Sequence, residues 1–412
     1  TFLLTTGVWL ALPVFGALPF FLGATEARFV DAFFEAMSGL TTTGSTVFSG
    51  LDELPKGLLL WRGILQWLGG IGIVVVAMVF LPELRVGGMQ IFRTESFDTF
   101  GKILPRATEI ASRISVIYVS LTMACAVAYV LAGMGAFDAT VHAMTTIATG
   151  GFSNYDSSFA AFGPGASYVA TVFMLLAALP FVRFVQLSAG TARPLLQDTQ
   201  IHAFLGTATI VVILIAGWNI SQQSTINEKA IRVAIFNAVS LMTGTGYANA
   251  DYMQWGSFAI AVLFFTGLIG GCAGSTACSI KIFRYQLLFA SIRAQLQKTR
   301  SPNGIFIPRY AGRPVGEDVL NSVMSFFVFF IVTLGLLSVG LAMTGLDFIT
   351  SISGAATALA NVGPGFGDQI GPTGNFASLN DTAKWLLAAG MLIGRLEIMV
   401  VYVIFTLQFW RA

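Results

Sequence analysis

Long apolar stretches broken by short polar punctuation set the pattern of this chain. Continuous apolar runs at 57–80, 114–133, 167–187, 321–343 and 384–410 reach the roughly 20 residues that a helix needs to cross a hydrocarbon layer about 30 Å thick. Residues 1–23 have the same character. No basic segment precedes them, so they read as a spanning helix and not as a cleaved signal. In lipid every backbone polar group must be satisfied within the segment, which selects helices. The pattern therefore predicts an all-α polytopic membrane protein.

Between the long runs lie four shorter segments that resemble one another. Aligned on Gly44, Gly151, Gly246 and Gly363, they read DAFFEAMSGLTTTG, DATVHAMTTIATGG, VAIFNAVSLMTGTG and TSISGAATALANVG. The first two share an aspartate, Asp31 and Asp138, at the same offset, where it is expected to cap a short helix. A helix of about twelve residues is about 18 Å long and cannot span. The natural reading is a helix that dips into the membrane and an extended segment that climbs back out. Non-helical backbone at that depth needs protein or water to receive its polar groups, so the four loops should converge on a polar axis. This predicts four helix–pore-loop–helix repeats with pseudo-fourfold symmetry around one pore. Their expected limits are 1–80, 107–188, 200–296 and 317–412. A cytoplasmic linker at 81–106, with Pro82 and Pro105 near its ends, and a basic cytoplasmic linker at 297–316 separate them.

Composition supports this picture. Of 412 residues, 55% are hydrophobic and 10% charged, against about 25% charged in a soluble domain. Three cysteines, Cys125, Cys272 and Cys278, make no disulfide framework, and two histidines without neighbouring ligands make no metal cluster. No paired nucleophile and base stands out, so an intramembrane hydrolase is disfavoured and no enzyme is expected. Segments 81–113, 188–200, 281–316 and the C-terminus carry 14 Lys/Arg against 5 Asp/Glu; segments 24–56, 134–166, 219–254 and 344–384 carry 5 against 12. The positive-inside rule places the first set in the cytoplasm and the second outside. The acidic outer face would also gather cations, although topology alone accounts for it equally well. A net charge of +2 gives no reason to expect a nucleic-acid partner.

The tips supply a chemistry. A dehydrated monovalent cation needs a ring of oxygens, and backbone carbonyls provide one without formal charge. Glycine permits the dihedrals and the close approach such a ring requires. The predicted ion-binding residues are Thr42, Thr43 and Gly44; Thr149, Gly150 and Gly151; Gly244, Thr245 and Gly246; and Asn361, Val362 and Gly363. The short helices would direct their negative C-terminal ends at the same point. Each glycine taken alone could equally be a helix C-cap; four at matching positions favour the ring, with potassium as the transported ion.

Two further features fall beneath the tips. After the apolar run 255–269, the small polar stretch Gly270-Gly271-Cys272-Ala273-Gly274-Ser275-Thr276-Ala277-Cys278-Ser279 interrupts the span and cannot face lipid. It is expected inside the bundle as a gate, the alternative being a tight turn between two helices. Arg395 and Glu397 sit within the last apolar run, where charges face the interior or pair. Arg395 reads as a positive barrier below the tips or as a structural link to a neighbouring helix. Arg62 and Gln66 are expected to brace the outer vestibule, Arg183 to snorkel to the cytoplasmic surface, and His142 to be packed. A membrane subunit of a proton-pumping complex is a competing class, but it would call for more buried Lys, Glu or His than Arg395 and Glu397 offer.

The strings DAFFEAMSGLTTTGST from Asp31, QWLGG from Gln66, VGGMQ from Val86, IGGCAGST from Ile269 and GRLE from Gly394 resemble the Trk/Ktr/HKT superfamily, and more narrowly its TrkH branch, over essentially the whole chain. The resemblance implies potassium uptake across a bacterial cytoplasmic membrane through repeats similar to a simple potassium channel subunit. It also implies a homodimer with one pore per protomer and a cytosolic nucleotide-binding regulatory partner. It assigns the filter to the four glycines, the gate to 270–279 and the barrier to Arg395. Symport belongs to the same superfamily, as do sodium-permeable members, in which a serine replaces the first filter glycine; Gly44 favours potassium. Two departures are evident. Ala277-Cys278-Ser279 stand where the family usually has a run of glycines. The branch also has two helices ahead of the first repeat, which reads this chain as a fragment or a shortened relative.

Overall fold

The computed structural model describes residues 2–79, 87–89, 91, 107–223 and 227–411. Four times the chain runs from a long helix through a short helix and a loop to a second helix. The first set is α1 (Phe2–Leu22), α2 (Phe29–Leu40) and α3 (Lys56–Val79); the second is α4 (Ala107–Leu131), α5 (Ala136–Ile147), α6 (Pro164–Ala177) and α7 (Phe181–Ser188). The third is α8 (Thr199–Gln223), α9 (Glu228–Met242), α10 (Ser257–Leu268) and α11 (Ile282–Arg300). The fourth is α12 (Glu317–Met343), α13 (Phe348–Ala360), α14 (Asp381–Arg395) and α15 (Met399–Ile404). Among the described residues, five helices are long and apolar enough to cross a membrane: α1 and α12, and most of α3, α4 and α8. The expected linker 81–106 lies outside the described residues except for Gly87–Met89 and Ile91. Within 297–316 a small antiparallel pair forms, β1 (Arg309–Tyr310) with β2 (Arg313–Pro314).

The short helices α2, α5, α9 and α13 have 12, 12, 15 and 13 residues, too short to span. Their buried faces mix large apolar side chains with many small and hydroxyl residues. Ser38, Thr145, Thr146, Ser240, Thr350, Ser351, Ser353 and Thr357 are all buried, which lets these helices pack in the middle of the protein. The long helices instead turn large apolar side chains outward, among them Phe15, Leu131, Ile213 and Leu336, as lipid contact requires.

Several expectations need correction here. The run 167–187 is not one continuous helix: it breaks at 178–180, and the two halves meet at 90°. Pro180 lacks the N–H that would continue the helix. The run 384–410 also breaks, between Arg395 and Met399, where Glu397 and Ile398 adopt φ of 63° and 35°. Asp31 and Asp138 do not cap their helices. The capping positions are Arg28 and Gly135, without side-chain bonds, while Asn227 and Asp347 cap α9 and α13 through Ala230 N and Thr350 N. Asp31 instead accepts from Lys384 Nζ at 2.6 Å and Arg28 Nε at 3.0 Å, tying α2 to α14. Asp138 accepts from Asn154 and the Tyr155 hydroxyl. Arg183, half-buried, forms an ion pair with Asp198 at 2.7 Å.

Candidate ion site at the four loop tips

Each short helix ends in a residue or turn with left-handed backbone. Thr42, Thr149, Gly244 and Asn361 have φ of 51°, 50°, 76° and 51°. Two residues on, Gly44, Gly151 and Gly246 return to positive φ at 87°, 78° and 80°. In the fourth tip Gly363 does not, so that loop departs from the other three. Positive φ strains any residue with a Cβ, yet the threonines and the asparagine accept it. Their side chains are tied down: Thr149 Oγ1 donates to Ala148 O at 2.7 Å, and Asn361 Nδ2 donates to Thr43 Oγ1 at 3.0 Å and Met391 O at 2.9 Å.

The four tips meet, and they do so in order. A Cβ placed on Gly44 would lie 2.1 Å from Gly150 O, and one on Gly151 would lie 1.8 Å from Thr245 O. A Cβ on Gly246 would lie 2.8 Å from Gly363 N, and one on Gly363 would lie 3.0 Å from Gly44 O. First touches second, second third, third fourth, and fourth first: a closed ring of backbone. Only glycine allows that approach. Ser45 Oγ donates to Gly363 O at 2.8 Å and so bolts the ring where it closes. Val362 is buried behind the fourth tip.

A collar of buried polar side chains holds the ring from outside. Gln66 Nε2 donates to Gly150 O at 2.6 Å while its Oε1 accepts from Phe152 N at 3.0 Å. Arg62, almost fully buried, donates to Glu35 at 2.8 Å, Ser153 O at 2.7 Å and Thr46 Oγ1 at 3.2 Å, and stacks on the Phe152 ring. Arg62 lines the vestibule, whereas Gln66 holds the second tip at Gly150 and Phe152. Glu35 was missed: a carboxylate on a helix otherwise buried was the available signal. His142 is packed, bonded to Asp138 O and Ser153 Oγ.

Above the ring opens a vestibule of about 180 Å³, lined by Gly44, Gly151, Gly246 and Gly363 together with Ser45 and Asp156. Below it the space closes to about 30 Å³, bounded by Ser275, Cys278, Lys281, Asn361 and Arg395. The stretch 270–279 fills that level, and it does so by capping helix ends. Thr276 Oγ1 donates to Ile147 O of α5 and Ala177 O of α6. Cys272 N donates to Ala178 O, and Ser279 N to Ala360 O of α13. Gly270 N bonds Ile280 O, Gly271 lies against Ala178 and Gly274 against Met78. Lys281 Nζ bonds Ala277 O. The break thus bonds to helix ends of the second and fourth sets as well as within the third.

Arg395 and Glu397 do not pair with each other. Arg395 donates to Cys278 Sγ, and more distantly to Gly69 O at 3.4 Å. Glu397 pairs with Arg284 of α11, whose Nε donates to Gly87 O at 2.9 Å and whose guanidinium lies 3.8 Å from the centre of the Phe326 ring. Sequence reasoning missed Arg284, which sits three residues after Lys281 with no local mark of burial.

Comparison with known proteins agrees with this architecture. The family model described as "TrkH: Cation transport protein" matches residues 1–410. The chain belongs to the TrkH family. It is 46% identical to the Trk system potassium uptake protein TrkI of Halomonas elongata, over all of this chain and 84% of that protein. Against TrkH of Escherichia coli K12 the identity is 38%, over 100% of this chain and 86% of that protein. The crystal structure of the potassium transporter TrkH from Vibrio parahaemolyticus superposes with a TM-score of 0.90 at 35% identity, covering 99% of this chain and 85% of that one. The TrkH family is one of transport proteins and not of enzymes, and this member is an integral membrane protein.

Proposed function

We propose that this chain takes up potassium ions across the bacterial cytoplasmic membrane through the ring of four tips. One observation carries the reading: the tips close head to tail through glycine backbone, with a vestibule above and a near-closed space below. Backbone oxygens of Thr42, Thr43 and Gly44, and of their counterparts at 149–151, 244–246 and 361–363, replace the ion's water. The C-terminal ends of α2, α5, α9 and α13 add negative potential at the same place. Residues 270–279 are the gate, and Arg395 is the positive barrier that keeps an ion from settling beneath the ring. Uptake by close relatives named as Trk system proteins supports the choice of potassium.

The proposed assembly is a homodimer in lipid with one pore per protomer. A cytosolic nucleotide-binding partner would meet the basic face of α11 and 297–316, which carries Arg293, Lys298, Arg300, Arg309 and Arg313. Ions pass down their electrochemical gradient; symport would add a coupled ion through the same ring. The test is growth of a potassium-uptake-deficient bacterium at low potassium, with rubidium and sodium fluxes measured together. Gly363→Val should abolish uptake or lower the rubidium-to-sodium ratio, because its side chain would press on Gly44 and Thr43. An unchanged rate and ratio would overturn the filter assignment.

A further inference from the structure

Cys278 lies near the end of the stretch 270–279 beneath the tips, and its surroundings are specific. Its Sγ lies 3.5 Å from Thr42 Oγ1 of the first tip and accepts from Arg395 Nη1. Its Cβ and N sit 3.3 Å from where a side chain on Gly244 would begin. The same 30 Å³ space is lined by Cys278, Ser275, Ser279, Asn361 and Arg395. A water needs about 10–15 Å³ measured this way, so the space holds two waters or one molecule of similar size. Arg395 is 4% exposed, and among the described residues its Nε has no hydrogen-bond partner. A buried guanidinium N–H left unpaired beside a thiol and a hydroxyl is costly unless a small acceptor visits it.

From this we infer that Cys278, Thr42 and Arg395 form a peroxide-reactive thiol site that closes the pore when oxidised. The chemistry is that of a thiolate attacking a peroxide. The sulfur of Cys278 attacks one oxygen of hydrogen peroxide, an S–O bond forms and the O–O bond breaks. The departing oxygen leaves as hydroxide and takes up the proton released by the Cys278 thiol to become water. The thiol is oxidised to sulfenic acid and the peroxide is reduced. Arg395 opposes the negative charge that develops on the leaving oxygen, and Thr42 orients the peroxide through its hydroxyl. The product oxygen gives Arg395 Nε the acceptor it lacks and fixes the gate beneath the first and third tips. Cys125 and Cys272 are also buried, but among the described residues neither sulfur is bonded to a guanidinium or a threonine hydroxyl. The closing of the pore rests on the transport reading; the reactivity of the thiol does not.

The experiment treats the full chain in proteoliposomes with hydrogen peroxide and reads two signals. The first is trapping of sulfenic acid by dimedone at each cysteine, by mass spectrometry; the second is rubidium uptake relative to the untreated sample of the same variant. Cys278 should label at least tenfold faster than Cys125 and Cys272. Arg395→Gln and Thr42→Val should each slow that labelling by tenfold or more. Labelling of Cys272 reports in the same sample whether the loop stays packed. Rubidium uptake should fall severalfold and recover with dithiothreitol, while Cys278→Ser should keep its own untreated rate. Equal labelling of the three cysteines would overturn the inference, as would labelling of Cys278 without loss of flux or equal flux loss in Cys278→Ser. Should the untreated protein carry no rubidium, the transport reading falls and the labelling still decides the site.

Discussion

Gly151→Ala tests the ring directly, because the structure sets how far the backbone must move. The new Cβ would begin 1.8 Å from Thr245 O, whereas ordinary contact starts near 3.4 Å, so the third tip must retreat by about 1.6 Å. The obstacle is backbone in a ring closed on both sides and cannot swing away as a side chain would. Positive φ at 78° adds about 1 kcal/mol of strain for a residue with a Cβ. Overpacking adds about 1–3 kcal/mol, giving a total of roughly 2–4 kcal/mol. Gly133→Ala is the matched control. Its φ is 94° and nothing lies within 4 Å of the added carbon, so it carries strain of about 1 kcal/mol without the clash. Thermal unfolding in detergent and the rubidium-to-sodium flux ratio are measured for both. We expect Gly133→Ala to keep the ratio and Gly151→Ala to lower it about tenfold or more, the equivalent of about 1.4 kcal/mol of discrimination. Equal ratios in the two variants would refute the claim that Gly151 and Thr245 shape one ion site.

Three more outcomes are expected. Replacing Arg62 by Ala strands Glu35, whose partner lies 2.8 Å away in a nearly solvent-free setting; unfolding should cost roughly 3–5 kcal/mol less, and the double variant Glu35→Gln, Arg62→Met should recover part of it in the same melting assay. Glu397→Gln removes the charge that faces Arg284 and frees α11 from the break before α15; rubidium leak should rise without any regulatory partner, and a leak equal to wild type would count against that coupling. Hydrogen bonds from the Thr350 side chain and backbone hold the Asp347 carboxyl below its ordinary 3.8. Because the folded value is the lower one, the cap stabilises fully above about pH 4 and is lost as pH falls through the folded value. Asp347→Ala should cost about 1 kcal/mol at neutral pH and flatten the acid side of the melting profile.

How much could be read in advance depended on the range of the interaction. The short helices were legible because small and hydroxyl residues at Ser38, Thr145, Ser240 and Thr357 contradict the apolar runs on either side. The glycine tips were legible as a repeated spacing. Convergence of the tips into a ring follows from the demand that backbone at membrane depth be satisfied. The breaks at 178–180 and 396–398 were hidden, since apolar residues flank them and continuous hydropathy reads as continuous helix. Pro180 was a signal, but proline also occurs within intact helices here, at Pro13 and Pro19 of α1. Pairs such as Arg284 with Glu397, 113 residues apart, leave no mark in local pattern. Capping by Asp31 and Asp138 was a reasonable inference from position, overturned because Lys384, Arg28, Asn154 and Tyr155 offered these carboxylates stronger partners than a helix N-terminus.

The breaks also explain why the proposed gate can move at all. A helix interrupted beneath the tips leaves carbonyls without intrahelical partners, and the stretch 270–279 supplies donors to them from Cys272 N, Thr276 N, Thr276 Oγ1 and Ser279 N. The proposed plug packs Cys272, Ala273 and Ala277 into the neighbouring apolar clusters, but its own side chains are small, and polar contacts tie it to the ends of α5, α6 and α13. Withdrawing it admits water to the same carbonyls, and each protein hydrogen bond exchanged for water costs only about 0.5–1.5 kcal/mol net. Opening then demands a few kcal/mol, within what a partner bound at the basic face of α11 could deliver. A plug of buried leucines would cost more to expose and would reseal by the hydrophobic effect. Substituting Thr276 by Val separates the two pictures: it deletes the hydroxyl bonds to Ile147 O and Ala177 O while keeping the volume. Rubidium leak should increase severalfold if polar capping holds the plug, and should stay unchanged if packing alone does.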